Sequence, residues 1–246
     1  DINRWTWNRK IKHWKRPFNI VAPSQWLAEC ARDSVIMRDW PVTVIPNCLN
    51  TEIWQPVDKN LARKLLGLPM DVSLLGFGSY GANSEYHKGF DLLEQALNHL
   101  NDLSENLELV VFGQSSPKNQ PKLGFPVNFM GHLYDDLSLR LLYSAVDILV
   151  VPSRREAFGQ TASEAQACGT PVAAFKIGGL SDIVKHKHTG YLAEPFDTED
   201  LAEGIKWILS HATSEGLGKA ARERALQKFS YEVVSLQYQE LYKKLL

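Results

Sequence analysis

The stretch Asp147-Ile-Leu-Val-Val-Pro-Ser-Arg-Arg-Glu156-Ala-Phe-Gly159-Gln-Thr-Ala-Ser-Glu164-Ala-Gln-Ala-Cys-Gly169-Thr-Pro171-Val172 decides the fold. It reads as strand, loop, short helix, strand. The run Ile148 to Val151 is short and wholly apolar, and Pro152 ends it, the pattern of a strand buried on both faces. A helix opens at Phe158-Gly159-Gln160-Thr161 and closes at Gly169, with Pro171 just beyond. Glu156 stands before that helix and Glu164 inside it, with seven residues between them.

This spacing has a chemical reading. A helix N-terminus presents unpaired N–H groups at the positive end of a dipole and can cradle a diphosphate. Glu164, about a turn in, can accept hydrogen bonds from a cis-diol such as a ribose. Glu156, on the loop after the strand, can hold the hydroxyls of a second sugar. A nucleotide-diphospho-sugar supplies those groups in that order. The bland alternative is two solvated surface glutamates; the strand-loop-helix setting and Gly159 favour the site.

The same alternation extends in both directions. Asn19 to Ser24 reads as a strand ending in a helix cap, with the helix running to about Met37. Val42 to Asn47, Ser73 to Gly78, Leu107 to Phe112, Val127 to Gly131, Val172 to Phe175 and Gly190 to Ala193 read as further strands, and helices are expected between most of them. The C-terminal part reads as three helices, the last from Tyr231 to Leu246. No hairpin signal interrupts the pattern, which predicts an α/β fold with a doubly wound parallel sheet and a ligand crevice at the carboxyl ends of its strands.

Gly76, Gly78 and Gly81 match the spacing of a dinucleotide fingerprint, but that fingerprint needs a helix to open at once. Here the helix starts near Gly89, and the next strand ends in Gly113-Gln114 rather than in an acid, so the pattern argues against NAD.

The central stretch resembles the retaining glycosyltransferases of the GT-B fold, family 4 (glycosyl transferases group 1). Their signature is two glutamates with seven residues between them, then a helix ending in a segment like Cys168-Gly169-Thr170-Pro171-Val172. Pro46-Asn47-Cys48-Leu49-Asn50, with Trp54 and Pro56, is similar to the family's entry into the donor-binding domain, Cys48 standing in place of a glycine. The resemblance runs from about Pro23 to the end. It implies the C-terminal, Rossmann-like half of a GT-B fold: residues 1–40 as a remnant of the acceptor domain and crossing, 41–228 as the donor-binding domain, and 229–246 as a helix returning to the first domain.

The resemblance also implies roles. Glu156 and Lys88 would be catalytic, Glu156 on the transferred sugar and Lys88 on the donor diphosphate. Glu164, Phe158, Gly159, Gln160 and Thr161 would bind donor, Gly131 would bring backbone to the base, and the small Gly178 permits close approach to a ligand or simply makes a tight turn. The family's companion arginine is missing; Ser79 or a neighbour occupies its place, and His87, Arg154 and Arg155 are the cations available to compensate. The donor would be a UDP- or GDP-sugar and the acceptor a saccharide or a lipid-linked molecule. No cofactor or metal is expected, since Asp197-Thr-Glu199 reads as helix capping. A sugar-nucleotide 2-epimerase and a non-catalytic sugar-nucleotide-binding protein are the competing readings.

Composition is compatible with this. A chain of 246 residues with 44% hydrophobic and 22% charged residues is long enough for a sizeable core. A net charge of −1 argues against bulk nucleic-acid binding. Cys30, Cys48 and Cys168 are widely spaced and suit reduced thiols in a cytoplasmic protein. The chain opens on Asp1 rather than Met, so a piece of a longer protein is expected, one that alone binds donor but transfers little sugar. Residues 4–16 mix Arg4, Arg9, Lys10, Lys12, Lys15 and Arg16 with Trp5, Trp7 and Trp14. They read either as an amphipathic helix touching the inner membrane face or as a helix that packs on the missing domain, and the narrow stripe of Trp7, Ile11 and Trp14 favours the second.

Overall fold

A computed structural model describes residues 1–78, 86–100, 103, 106–116, 123–211 and 216–246. Six strands form one parallel sheet: β3 (Ser73–Gly78), β4 (Leu107–Phe112), β5 (Val127–Gly131), β6 (Ile148–Val151), β7 (Val172–Phe175) and β8 (Gly190–Ala193). Their order across the sheet is β5-β4-β3-β6-β7-β8, so chain direction through the sheet reverses between β3 and β6. That reversal is where an open α/β sheet forms its ligand crevice. Gly81, the third glycine of the fingerprint spacing, and Ser79 lie outside the described residues.

Alternation along the buried strands builds two core layers. Ile148 and Val150 of β6 face one side, with Leu75, Phe77, Leu109, Val111, Ala173 and Phe175. There they meet α4 (Phe90–Leu97) and α8 (Thr198–His211) through Leu93, Leu97, Leu201 and Ile205. Leu149 and Val151 face the other side with Leu74, Val110, Val172 and Ala174. That layer packs on α5 (Asp136–Ala145), α6 (Gln160–Ala167) and α9 (Gly216–Phe229) through Leu142, Tyr143, Ala162, Ala165, Ala225 and Phe229. A sheet covered on both faces is what continuous apolar strands require.

The amino ends of β3 and β6 are tied by one polar cluster. Arg63, on α3 (Lys59–Leu66), is buried and donates to the carbonyls of Ala145, Pro69, Met70 and Val72 and to Asp147 Oδ2 at 2.7 Å. The same Asp147 oxygen accepts from Leu74 N at 2.7 Å. On α3, Asp58 caps the start and Gly67 ends it in the left-handed region.

A smaller unit stands beside this domain. β1 (Ile20–Ala22) and β2 (Val42–Val44) pair in parallel as a two-stranded sheet. α2 (Gln25–Asp33) lies between them and ends sooner than Met37. α10 (Tyr231–Leu245) packs on it through Val234, Tyr238 and Leu241 against Val21 and Ile45. β2 thus belongs with β1, so the small unit straddles the expected boundary at residue 41.

α1 (Ile2–His13) buries none of its residues. At 100° per residue, Ile2 and Trp5 point away from Trp7 and Ile11, so α1 lacks the single apolar face of a helix lying in a membrane surface. Arg9 sits 4.6 Å over the Trp5 ring and Lys10 5.2 Å over Trp14. Beyond the helix, Trp14, Phe18 and Trp40 form an aromatic cluster with Phe18 and Trp40 4.4 Å apart. Among the described residues no helix is long and apolar enough to cross a membrane.

Candidate active site

Two loops meet at the carboxyl ends of β3 and β6. The first carries Lys88 at the end of a short 3₁₀ turn, Tyr86–Lys88. The second follows Pro152 and carries Glu156. Lys88 Nζ lies 3.2 Å from Glu156 Oε2, which Ser153 Oγ approaches at 3.4 Å. The pair bridges the point where the sheet changes direction. Both side chains are partly open, Lys88 at 36% and Glu156 at 18% exposure, so a ligand can displace either from the other.

The loops are pinned by contacts a side chain would forbid. A Cβ on Gly89, at φ +70°, would fall 1.9 Å from the Pro152 carbonyl oxygen. A Cβ on Gly178 would fall 2.2 Å from the Glu156 carbonyl oxygen, which accepts a hydrogen bond from Gly179 N at 2.9 Å. The smallness of Gly178 therefore serves the Glu156 loop: it is the tight approach of two backbones, with Glu156 itself filling the space. Ser24 Oγ donates to the Ala157 carbonyl at 2.6 Å and ties the small unit to the same loop.

Arg154 is committed elsewhere and does not substitute for the missing cation. Its guanidinium makes a two-pronged bond to Asp91, at 2.7 and 2.6 Å, and stacks 4.0 Å over the Tyr86 ring. It also donates to the Tyr86 carbonyl at 3.0 Å, and Arg154 N donates to the His87 carbonyl at 2.8 Å. The arginine holds the Asp91 carboxyl below its usual range and is itself raised by that carboxylate. Arg154 thus fastens the Lys88 turn to the Glu156 loop. His87 stands edge-on to Tyr86, at 6.1 Å. Arg155 is exposed and has no ion pair among the described residues; it opens into a neighbouring cavity of about 550 Å³ with Trp26, Lys176 and Gly178.

α6 begins beside the pair. Gly159 is its N-cap, in the left-handed region at φ 106°, and supplies no side-chain cap. The first N–H groups, at Gln160 and Thr161, therefore keep their donors for a ligand. Thr161 shares a narrow crevice with Gly78, Lys88 and Ser153. Phe158 differs from expectation: its side chain is 4% exposed and packs edge-on to Phe229 at 5.5 Å, so the residue can meet a ligand only through its backbone.

Glu164 lies one turn further on and is mostly buried. Its Oε2 accepts from Tyr143 OH at 3.0 Å. Burial pushes its carboxyl up to about 7, against which hydrogen bonds from Tyr143 and, secondarily, Gln160 favour the charged form. Gly131 is not brought to this cluster. It ends β5, two strands across from β3, in the left-handed region at φ +67°, its carbonyl accepting from Gly113 N at 2.8 Å. A separate cavity of about 440 Å³ opens beside Cys168, Lys219 and Arg222, next to the residues that precede β6 and β7 and away from Glu156.

The structure thus gathers Lys88, Glu156, Gly159 and Thr161 around one crevice, with Glu164 one turn further along α6 against Tyr143. It adds Tyr143, Ser153 and Asp91, which sequence reasoning did not single out, and it ties Arg154 to Asp91 and to the Tyr86 and His87 carbonyls. Tyr143 had a usable signal: a tyrosine inside the apolar run Leu141-Leu142-Tyr143 must find a partner for its hydroxyl once buried.

The arrangement can be set against known proteins. Residues 79–224 match the family described as glycosyl transferases group 1. The D-inositol 3-phosphate glycosyltransferase of Stackebrandtia nassauensis is 36% identical over 191 residues, covering 70% of this chain and 41% of that protein. Sucrose-phosphate synthase from Thermosynechococcus elongatus superimposes with a TM-score of 0.80 at 30% identity, covering all 100% of this chain and 62% of that one. The crystal structure of Anabaena Alr3699/HepE in complex with UDP-glucose shares the fold, with a TM-score of 0.70 at 22% identity, over 91% of this chain and 63% of that one. The chain spans less than two thirds of each of these relatives. Its parallel sheet matches the C-terminal domains of GT-B glycosyltransferases, and the chain belongs to the glycosyl transferases group 1 family.

Proposed function

We propose that this chain is the donor-binding half of a retaining glycosyltransferase that moves a sugar from a nucleotide diphosphate to a saccharide or lipid-linked acceptor. The observation that carries the reading is the 3.2 Å contact between Lys88 and Glu156 across the switch point, beside the uncapped start of α6. A glycosyl diphosphate joins phosphate and sugar through one oxygen, so a phosphate cation and a sugar carboxylate must stand this close. The diphosphate rests on the N–H groups near Gly159, Gln160 and Thr161, and Lys88 leaves Glu156 for it. Glu156 then accepts from the sugar hydroxyls and Glu164 from the ribose. The base, following the ribose, would meet the backbone at Gly131 at the end of β5.

Fixed N–H dipoles and one cation stabilise the leaving diphosphate electrostatically, without a divalent metal. The bond from the anomeric carbon to the phosphate oxygen breaks, the acceptor oxygen bonds to that carbon on the same face, and its proton passes to the leaving phosphate. No protein nucleophile is needed. The acceptor site is completed by a first domain, of which the small unit of β1 and β2 forms the end and to which the helix of residues 229–246 returns. The UDP-glucose seen in a protein of this fold supports a nucleoside diphosphate donor.

Calorimetric titration of the chain with UDP, GDP, ADP and NAD, beside Glu164→Ala, tests this. Binding of one nucleoside diphosphate, unchanged by EDTA and lost in the variant, is expected. Tight NAD binding, or robust sugar transfer by the 246-residue chain alone, would overturn it.

A further inference from the structure

Tyr143 is wholly buried on α5, with its ring edge-on to Phe112 at 5.8 Å and 5.9 Å from Trp54. A phenylalanine would fill that space as well. What the hydroxyl adds is one hydrogen bond, to Glu164 Oε2 at 3.0 Å. Burial and the neighbouring Glu164 charge push the phenol well above its ordinary value, so it is always a donor. The terminal torsion of a glutamate is broad and settles in no sharp rotamer well, so an external contact must set the carboxylate plane.

We propose that Tyr143 is a positioning residue for the nucleotide: its hydroxyl holds Glu164 Oε2 so that the remaining lone pairs of the carboxylate face the two ribose hydroxyls. This rests on the reading of Glu164 as the ribose ligand. The ionised carboxylate is the stronger acceptor for the ribose hydroxyls and carries no proton that competes for a lone pair. Burial pushes Glu164 up to about 7, Tyr143 is the largest influence in the opposite direction, Gln160 a second, and Asp136 on α5 pushes it up further. Cys168, raised to about 12 by burial, stays neutral throughout the range that matters. Loss of the Tyr143 hydroxyl therefore both frees the carboxylate to turn and raises its titration midpoint.

The test is calorimetry of the 246-residue chain with UDP and GDP from pH 5.5 to 8.5, comparing Tyr143→Phe, Phe112→Leu and Glu164→Ala. Tyr143→Phe should lose about tenfold in affinity at pH 7, the scale of a lost hydrogen bond to a charged group. Its affinity should recover toward wild type as the pH rises, with the midpoint of the binding profile displaced upward. Phe112→Leu, a packing change in the same cluster, should leave that midpoint in place. Unchanged affinity and midpoint in Tyr143→Phe, with binding abolished in Glu164→Ala, would overturn this inference and spare the Glu164 assignment. Wild-type binding by Glu164→Ala would overturn both. Carboxyl carbon NMR of Glu164 requires no nucleotide: its midpoint should rise in Tyr143→Phe, and an unmoved midpoint refutes the proposal by itself.

Discussion

Replacing Arg63 with leucine should be among the most damaging single changes in this chain, although the residue lies at the end of the sheet opposite the crevice. Its guanidinium satisfies four carbonyls and Asp147, and it is only 4% exposed. Leucine fills part of the volume but leaves the carbonyls without donors and the Asp147 carboxylate, 14% exposed, without its buried partner. Breaking a buried pair by removing one member destabilises by about 3–5 kcal/mol. With a urea dependence of about 2 kcal/mol per M, the unfolding midpoint should fall by about 1.5–2.5 M. Lys59 supplies the internal control. It contacts Asp147 at 2.6 Å, slightly closer than Arg63 does, yet is 46% exposed. Its removal should matter by less than about 1 kcal/mol, because water screens it and replaces it. Urea denaturation followed by circular dichroism measures both variants. Equal, small losses for Arg63→Leu and Lys59→Ala would refute the reasoning that burial rather than distance sets the strength of these contacts.

Three further outcomes follow from the site. Glu164 has its carboxyl raised to about 7 from 4.5, so the native state holds the extra proton and stability falls as pH rises through that window. Glu164→Gln escapes this loss, and thermal unfolding should find it up to about 3 kcal/mol more stable than wild type at pH 8 and equal to it at pH 4. Gly178→Ala would drive a methyl to 2.2 Å from the Glu156 carbonyl oxygen; the loop must shift, and calorimetry should show UDP-glucose affinity falling at least about tenfold with a stability loss of about 1–3 kcal/mol. Asp91→Ala touches no proposed ligand but removes the carboxylate that orients the Arg154 guanidinium against the Lys88 turn. It should weaken nucleoside diphosphate binding about threefold to tenfold, in proportion to a partly exposed ion pair, and wild-type affinity would mean the clamp does not position Lys88.

The fold was legible because its signals are local and repeated. Apolar runs closed by Pro152, by Gly67 after α3 and by Gly169 after α6 mark where each element stops, and those residues act through their own backbone. The crevice followed from topology, since strand and helix alternate without a hairpin. The small α7 (Leu180–Ile183) was not legible: four residues carry no helical period, and its register comes from packing on Gly159 and Phe158. The pairing of β2 with β1 was equally hidden, because a three-residue strand bears no mark of which sheet it joins.

The two acids stand out in the sequence, and what surrounds them does not. Two glutamates at a fixed spacing look equivalent in the chain, yet the structure gives them opposite environments. Glu156 stands on a loop against a lysine, partly open to water. Glu164, on α6, is turned inward onto Tyr143, twenty-one positions earlier on another helix. A charge that must be displaced by its ligand and a charge that must be created by losing a proton are different chemical starting points, and only the partners distinguish them. The same holds for the cations. Lys88, Arg154 and Arg155 are interchangeable as letters near the crevice, but Asp91 claims Arg154, Arg155 opens into a neighbouring cavity, and Lys88 alone of the three faces Glu156. The assignments of Lys88 and Arg154 depend on residues more than sixty positions away in the chain, a distance over which periodicity and spacing carry no information.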